Sequence, residues 1–151
     1  LIYGASGTSG TIAVQYAKHR GATVTGVCGS SNMEFVKSLG ADKVLDYTNK
    51  DSVKYLEEYD FVLDTVGKRK SSELKKACVT ALKISGKYVS IDDGALLCQS
   101  SRLDQIRELI ESGKIKPMND RIYPFDQIIE AHKYVEMGHK RGNVAITVNT
   151  Q

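Results

Sequence analysis

The chain has 151 residues, enough for one domain with a real core, and is 41% hydrophobic and 26% charged with 13 Gly and 2 Pro. Its 21 basic and 18 acidic residues leave a net charge of +3, too small and too scattered to indicate a nucleic-acid or membrane-surface partner. No apolar run approaches the ~20 residues of a membrane span, and the N-terminus lacks the layout of a signal peptide.

Residues 1–3 read as the tail of a strand. Residues 8–19 follow as a helix, with Ile12, Ala13, Tyr16 and Ala17 on one face. A buried strand spans 22–28, and a helix spans 32–39 with Asn32 as N-cap and Gly40 as its stop. A short strand at 43–46, one or two helical turns at 52–58 and a strand at 61–64 come next. Lys68-Arg69-Lys70 reads as a solvated helix start, followed by a helix over 71–82 that ends near Gly86 and a strand over 87–91. Leu103, Ile106 and Ile110 mark a helix stopped by Gly113; a last helix covers 125–135 and a last strand 144–148. Short β-branched runs alternating with amphipathic stretches are the pattern of an α/β protein, a parallel sheet covered by helices. The three cysteines, Cys28, Cys78 and Cys98, include no Cys-x-x-Cys pair. They read as reduced thiols of a cytoplasmic protein, not as a disulfide frame or a zinc site.

The first strand runs into LIYGASGTSG, with glycine at 4, 7 and 10. Glycine at such a junction lets the backbone turn tightly and lets a ligand come close. The helix behind it offers unpaired N–H groups and its positive dipole end to a pyrophosphate. Gly7 is placed for the close approach and Gly10 for packing of helix on sheet. Ser6, Thr8, Ser9 and Thr11 offer hydroxyls to phosphate oxygens or to the first helical N–H groups. No Gly-Lys-Ser/Thr follows, which excludes a triphosphatase P-loop. The plainer alternative is a tight turn of any α/β protein.

An NAD site usually carries Asp or Glu about 20 residues beyond the glycines, on the ribose hydroxyls. Here the second strand ends Val27-Cys28-Gly29-Ser30-Ser31-Asn32, with no carboxylate to repel a 2′-phosphate. Ser30, Ser31 and the backbone beside Gly29 offer hydrogen bonds instead, so NADP(H) is favoured over NAD(H). The usual basic clamp is not evident; Lys18 and Lys37 are the candidates. A serine pair that merely caps the next helix is the alternative.

Together these stretches resemble the medium-chain dehydrogenase/reductase superfamily (zinc-type alcohol dehydrogenase-like), in particular its zinc-independent quinone oxidoreductase branch. The matching segments are LIYGASGTSG at 1–10, SLGADKVLDY at 38–47, YDFVLDTVG at 59–67, GKYVS at 86–90 and GHKRGNVAIT at 138–147. Short-chain dehydrogenases share the glycine spacing but need a Tyr-x-x-x-Lys pair, and none of the eight tyrosines has a lysine four places on.

The resemblance implies a Rossmann-type, doubly wound NAD(P)-binding domain over 1–118. It also implies a C-terminal helix and strand over 119–151 that return toward a separate N-terminal catalytic domain. Leu1 then lies inside the first strand, as in the C-terminal half of a longer protein. By the same resemblance Ser6, Gly7, Thr8, Ser9 and Gly10 wrap the pyrophosphate, and Ser30 and Ser31 meet the 2′-phosphate with Tyr47 beside it. Thr65, Val66 and Gly67, after Asp64, border the nicotinamide ribose; Asp64 has a second reading, as a cap. Ser90 and Ile91 border the nicotinamide, and Asn143 reaches back toward the cofactor. The segment from Gly94 to Arg102 is short where the family has a sixth strand that often forms a dimer edge, so a homodimer is expected only conditionally.

The implied function is an NADPH-dependent oxidoreductase passing hydride to a quinone or an enone, the fragment alone being inactive. The alternatives are a zinc-dependent alcohol dehydrogenase acting on an aldehyde, or a non-catalytic NADPH-binding module. No metal-ligand cluster is evident in the sequence. His19, His132 and His139 read as surface or packing residues.

Overall fold

The computed structural model describes residues 1–68, 70–94 and 100–148. Strand and helix alternate as β1 (Ile2–Tyr3), α1 (Thr8–His19), β2 (Thr25–Cys28), α2 (Met33–Ser38), β3 (Lys43–Asp46), β4 (Tyr59–Asp64), α3 (Glu73–Thr80) and β5 (Leu82–Ser90). The five strands form one sheet in the order β3-β2-β1-β4-β5, every neighbouring pair parallel. This is the Rossmann-type α/β arrangement.

Successive residues of a strand face opposite sides of a sheet, so a strand buried on both faces must be apolar at consecutive positions. Ile2, Cys28 and Val44 join Val14 of α1 and Val36 of α2 in one layer. Leu1, Tyr3, Val27, Leu45 and Val62 join Leu74 and Cys78 of α3 in the other. Each fully buried Val or Leu contributes roughly 1.5–3 kcal/mol, so a two-residue β1 is held by the layers on either side of it. The chain winds outward from β1 to β3, then crosses back to β4. Strand order therefore reverses between β1 and β4, where open α/β sheets form a crevice beyond the carboxyl ends of their strands.

Several boundaries differ from the sequence expectations. The helix expected over 71–82 stops at Thr80, and Gly86 does not terminate it; Gly86 lies inside β5, which begins at Leu82. The β4–β5 register shifts between Tyr59 and Phe61, and a Cβ at Gly86 would stand 2.9 Å from the Tyr59 carbonyl oxygen. Gly86 thus marks a bulge where two backbones approach closely. The turns expected at 52–58 are a 3-10 segment, Lys50–Tyr55.

Beyond the sheet, α4 (Ser100–Glu111) carries the expected Leu103, Ile106 and Ile110. A strand that the sequence did not announce, β6 (Asn119–Pro124), precedes α5 (Ile128–Glu136) and β7 (Asn143–Thr147). β6 and β7 pair in parallel as a separate two-stranded sheet. Cys98 and most of the short segment between Gly94 and Arg102 fall on 95–99, outside the described residues, as does Arg69. Among the described residues no helix is long and apolar enough to cross a membrane.

Candidate functional site

The turn between β1 and α1 is built by close contacts that only glycine permits. Gly4 has φ +84°, and a Cβ on it would stand 2.6 Å from both Thr65 Oγ1 and Val66 Cγ2. Thr65 locks the same spot by donating its hydroxyl to the carbonyls of Tyr3 (2.8 Å) and Gly4 (3.1 Å). A Cβ on Gly10 would stand 2.7 Å from Ala5 Cα and closer still to the Gly4 carbonyl oxygen, so Gly10 sets the approach of α1 to the turn. Gly7 differs. A Cβ there meets nothing nearer than the Gly4 oxygen at 3.5 Å and would project into open space.

That space is a cleft of about 660 Å³ at the β1/β4 switch point. Its walls are the glycine turn, the end of β2 with Ser31 and Asn32, Tyr47 after β3, and Thr65 and Val66 after β4. Lys70, Ser71 and Ser72 before α3, and Val135, Gly138, His139 and Lys140 near the C-terminus, complete it. No carboxylate lines it among the described residues, while two lysines do. At its edge α1 begins with Gly7 as N-cap, without a side-chain cap and without an acidic residue in the first turn. The donor set suits an anion: helix N–H groups, serine and threonine hydroxyls and ammonium groups.

Of the residues singled out in the sequence, Ser6, Gly7, Ser31, Tyr47, Thr65 and Val66 line this cleft. Thr8 and Ser9 sit in the first turn of α1 and border the groove between α1 and α4. Gly10 is buried beneath the turn, and Ser30 is exposed in the 3-10 segment Ser30–Asn32. Gly67 is buried against Asp92. Ser90 is buried with its N–H on Asp93 Oδ2 (2.8 Å), and its hydroxyl accepts from the Asp92 N–H (3.3 Å). Ile91 is exposed, and Asn143 opens β7 with its N–H on the Met118 carbonyl (2.7 Å). Gly67, Ser90, Ile91 and Asn143 do not line the cleft.

The basic group expected near Ser31 comes from neither Lys18 nor Lys37. Those two lysines pair with Asp42 and Glu34 at the surface. It comes from Arg141, whose guanidinium donates to the Ser31 carbonyl (2.9 Å) and to Asn32 Oδ1 (2.8 Å). Asn32 therefore makes no side-chain cap to α2; its amide reaches Ser6 Oγ (3.3 Å) and its oxygen takes Arg141. The segment carrying Arg141 lies against the glycine turn. The Gly142 N–H donates to the Ser6 carbonyl (2.9 Å), and Thr8 Oγ1 donates to the Gly142 carbonyl (3.0 Å). Asp120 holds the other side, accepting from the Arg141 N–H (3.0 Å) and from the Tyr134 hydroxyl (2.5 Å).

Asp64 stands outside the cleft as the anchor of the loop that borders it. Its Oδ1 accepts from the N–H groups of Val66 (3.0 Å) and Gly67 (3.2 Å), which bears out its reading as a cap. Its Oδ2 takes Lys75 Nζ (2.6 Å) and the Tyr88 hydroxyl (2.9 Å). Lys75 also donates to the carbonyls of Gly67 (2.5 Å) and Lys70 (2.8 Å), so one buried ammonium gathers both ends of the loop. Burial pulls the Asp64 carboxyl upward, but Lys75, the Val66 N–H and Tyr88 outweigh it and hold the group below its usual value. Burial and the adjoining carboxylate push the Tyr88 phenol up to about 12.

A family model described as zinc-binding dehydrogenase matches residues 10–95, and a second model of the same description matches 92–146. The chain belongs to the zinc-binding dehydrogenase family. One relative, the mouse (Mus musculus) protein named NAD(P)H oxidoreductase RTN4IP1, mitochondrial, is 34% identical over 98% of this chain and 47% of its own length. The Arabidopsis thaliana NADPH-dependent alkenal/one oxidoreductase, chloroplastic, is 32% identical over 97% of this chain and 39% of its own length. Among solved structures, an NAD-dependent alcohol dehydrogenase shares the fold with TM-score 0.82 at 24% identity, over 98% of this chain and 50% of that one. The quinone oxidoreductase from Coxiella burnetii does so with TM-score 0.75 at 21% identity, over 98% and 52%. The chain spans about half the length of the curated relatives it matches. The mouse match runs over 187 residues, against 151 in this chain, so the relative holds residues within the matched span that this chain lacks.

Proposed function

We propose that this chain is the NADP(H)-binding part of an oxidoreductase that passes hydride to a quinone or to the activated C=C bond of an enone. The observation that carries the reading is the end of β2. It has no carboxylate where NAD sites place one, and Arg141 is fixed against Ser31 and Asn32 instead. A guanidinium has five N–H donors; those bonded to Ser31 and Asn32 set its position and leave others for a 2′-phosphate. The names of relatives support the acceptor class, since they include an alkenal/one oxidoreductase and a 2-methylene-furan-3-one reductase.

The residues present fit the cofactor. The space a Cβ on Gly7 would fill is where a pyrophosphate reaches the uncapped N–H groups of α1. Ser31, with Ser30 beside it, faces the 2′-phosphate, and the Tyr47 ring, 3.5 Å from the space beside Gly29, flanks the adenosine. Thr65 and Val66 border the nicotinamide ribose, on a loop that Asp64 and Lys75 keep in one shape. Gly67, Ser90, Ile91 and Asn143 lie outside the cleft walls, and no part of this reading rests on them. The cofactor supplies the hydride; the protein binds it, orients it and excludes water.

The test is NADPH oxidation by the full-length parent with a panel of quinones and enones. Turnover with kcat/KM at least about tenfold higher for NADPH than for NADH is expected. No oxidation with any acceptor would sink the reading.

A further inference from the structure

Among the described residues, four lysines are withdrawn from full exposure: Lys18, Lys43, Lys75 and Lys140. Three of them face a carboxylate, Lys18 on Asp42 (2.9 Å), Lys43 on Glu57 (2.5 Å) and Lys75 on Asp64 (2.6 Å). Lys140 has no carboxylate within 4.0 Å among the described residues, and it lines the cleft. Its ammonium donates to Thr8 Oγ1 (2.6 Å) and to the Gly142 carbonyl (2.7 Å).

Thr8 is the first residue of α1, so this cation rests against the positive end of a helix that carries no acidic residue in its first turn. Two positive centres thus meet where water is partly excluded, and burial holds the Lys140 ammonium below the usual lysine pKa. The placement is not a mobile side chain drifting over the surface. The backbone that follows it is pinned at two successive residues, Arg141 by Asp120 and Gly142 by Ser6. An arrangement that repels itself when bare becomes favourable once an anion sits between its parts. An ammonium has three protons, and the two recorded bonds leave one for that anion.

We infer that Lys140 is a direct ligand of the pyrophosphate of the bound dinucleotide, adding a charged donor to the neutral N–H groups of α1. The inference rests on the NADP(H) reading above and divides the work between neighbours. Lys140 serves the pyrophosphate, common to both dinucleotides, and Arg141 serves the 2′-phosphate, found only in NADP(H).

Affinities of the 151-residue chain for NADPH, NADH, ADP and 2′-AMP, measured for the unsubstituted protein and for Lys140→Met, Lys140→Arg and Arg141→Met, separate these roles. Lys140→Met is expected to weaken NADPH, NADH and ADP each by about tenfold and to leave 2′-AMP within about twofold. Lys140→Arg keeps the charge and recovers most of the loss, which separates a lost ligand from a damaged fold. Arg141→Met gives the converse, weakening NADPH and 2′-AMP alone. Unchanged NADH and ADP affinity in Lys140→Met, or a loss confined to the 2′-phosphate ligands, overturns the assignment. If the unsubstituted chain binds NADH and ADP but gains nothing from the 2′-phosphate, the NADP(H) reading falls and the Lys140 assignment is still decided by ADP. If it binds none of the four, both fall.

Discussion

Replacing Lys75 by Met removes the ammonium that neutralises Asp64 while keeping an unbranched side chain in the same face of α3. The site is dry, with Lys75 7% and Asp64 0% exposed, so the carboxylate is left buried without its counter-charge. The carbonyls of Gly67 and Lys70 lose a donor at the same time. Breaking one side of a buried ion pair costs about 3–5 kcal/mol. Asp64 keeps the Val66 and Gly67 N–H groups and the Tyr88 hydroxyl. The expected loss is therefore at the lower end, about 3 kcal/mol at neutral pH.

The pH dependence follows from the direction of the Asp64 shift. In the unsubstituted protein the folded carboxyl titrates below its ordinary 3.8. Its contribution is complete above the unfolded value and is lost as the pH falls through the lower folded value. In Lys75→Met burial is no longer outweighed, so the carboxyl titrates higher and takes up its proton earlier. The stability gap between the two proteins is thus widest at neutral pH and narrows toward about pH 4. Urea unfolding followed by circular dichroism at both pH values measures it. The double variant Asp64→Asn/Lys75→Met, with no buried charge, should regain at least about 1 kcal/mol. A loss under about 1 kcal/mol at neutral pH, or a gap that does not narrow in acid, refutes the reasoning.

Gly10→Ala forces a Cβ into backbone and should cost about 1–3 kcal/mol of stability, read from the shift of the urea midpoint. Gly7→Ala meets only the Gly4 oxygen at 3.5 Å, so it should leave the unfolding midpoint in place and weaken NADPH binding instead, as shown by titration of either variant. Arg141→Met should lower the NADPH-over-NADH preference by about tenfold or more with no change in NADH affinity; an unchanged ratio would remove Arg141 from the site. Burial pushes the thiols of Cys28 and Cys78 up to about 11, so both should resist a thiol-specific reagent at neutral pH in the folded protein and react on unfolding. Rapid modification of two or three thiols per native chain would contradict this.

The elements of the sheet were legible because β2, β3 and β4 are apolar on both faces and the helices between them are not. β6 was not, because Asn119-Asp-Arg-Ile-Tyr-Pro124 is largely exposed, ends in proline and, among the described residues, pairs only with β7. A strand that buries so little leaves no hydrophobic run to read. Gly86 misled for the opposite reason: a glycine after a helix resembles a stop, and only the β4–β5 register shows that it admits a neighbouring backbone.

The glycine turn and Ser31 could be read from local motifs on strand ends, and Tyr47, Thr65 and Val66 from the family resemblance. Arg141 and Lys140 could not, since they meet Asn32 and Thr8 across 109 and 132 residues. In the sequence their segment, GHKRGN, stands out only through the family resemblance. Two adjacent cations beside a glycine, with no acidic residue from 137 to 151, were the available signal of an anion.

A cleft built for NADP(H), with a cationic C-terminal segment laid across a glycine turn, should bind NADPH in preference to NADH. Calorimetric titration of the 151-residue chain with NADPH and with NADH, in the same low-salt buffer, tests it most directly. NADPH is expected to bind at least about tenfold tighter than NADH. Equal affinities, or no heat of binding with NADPH, would contradict it.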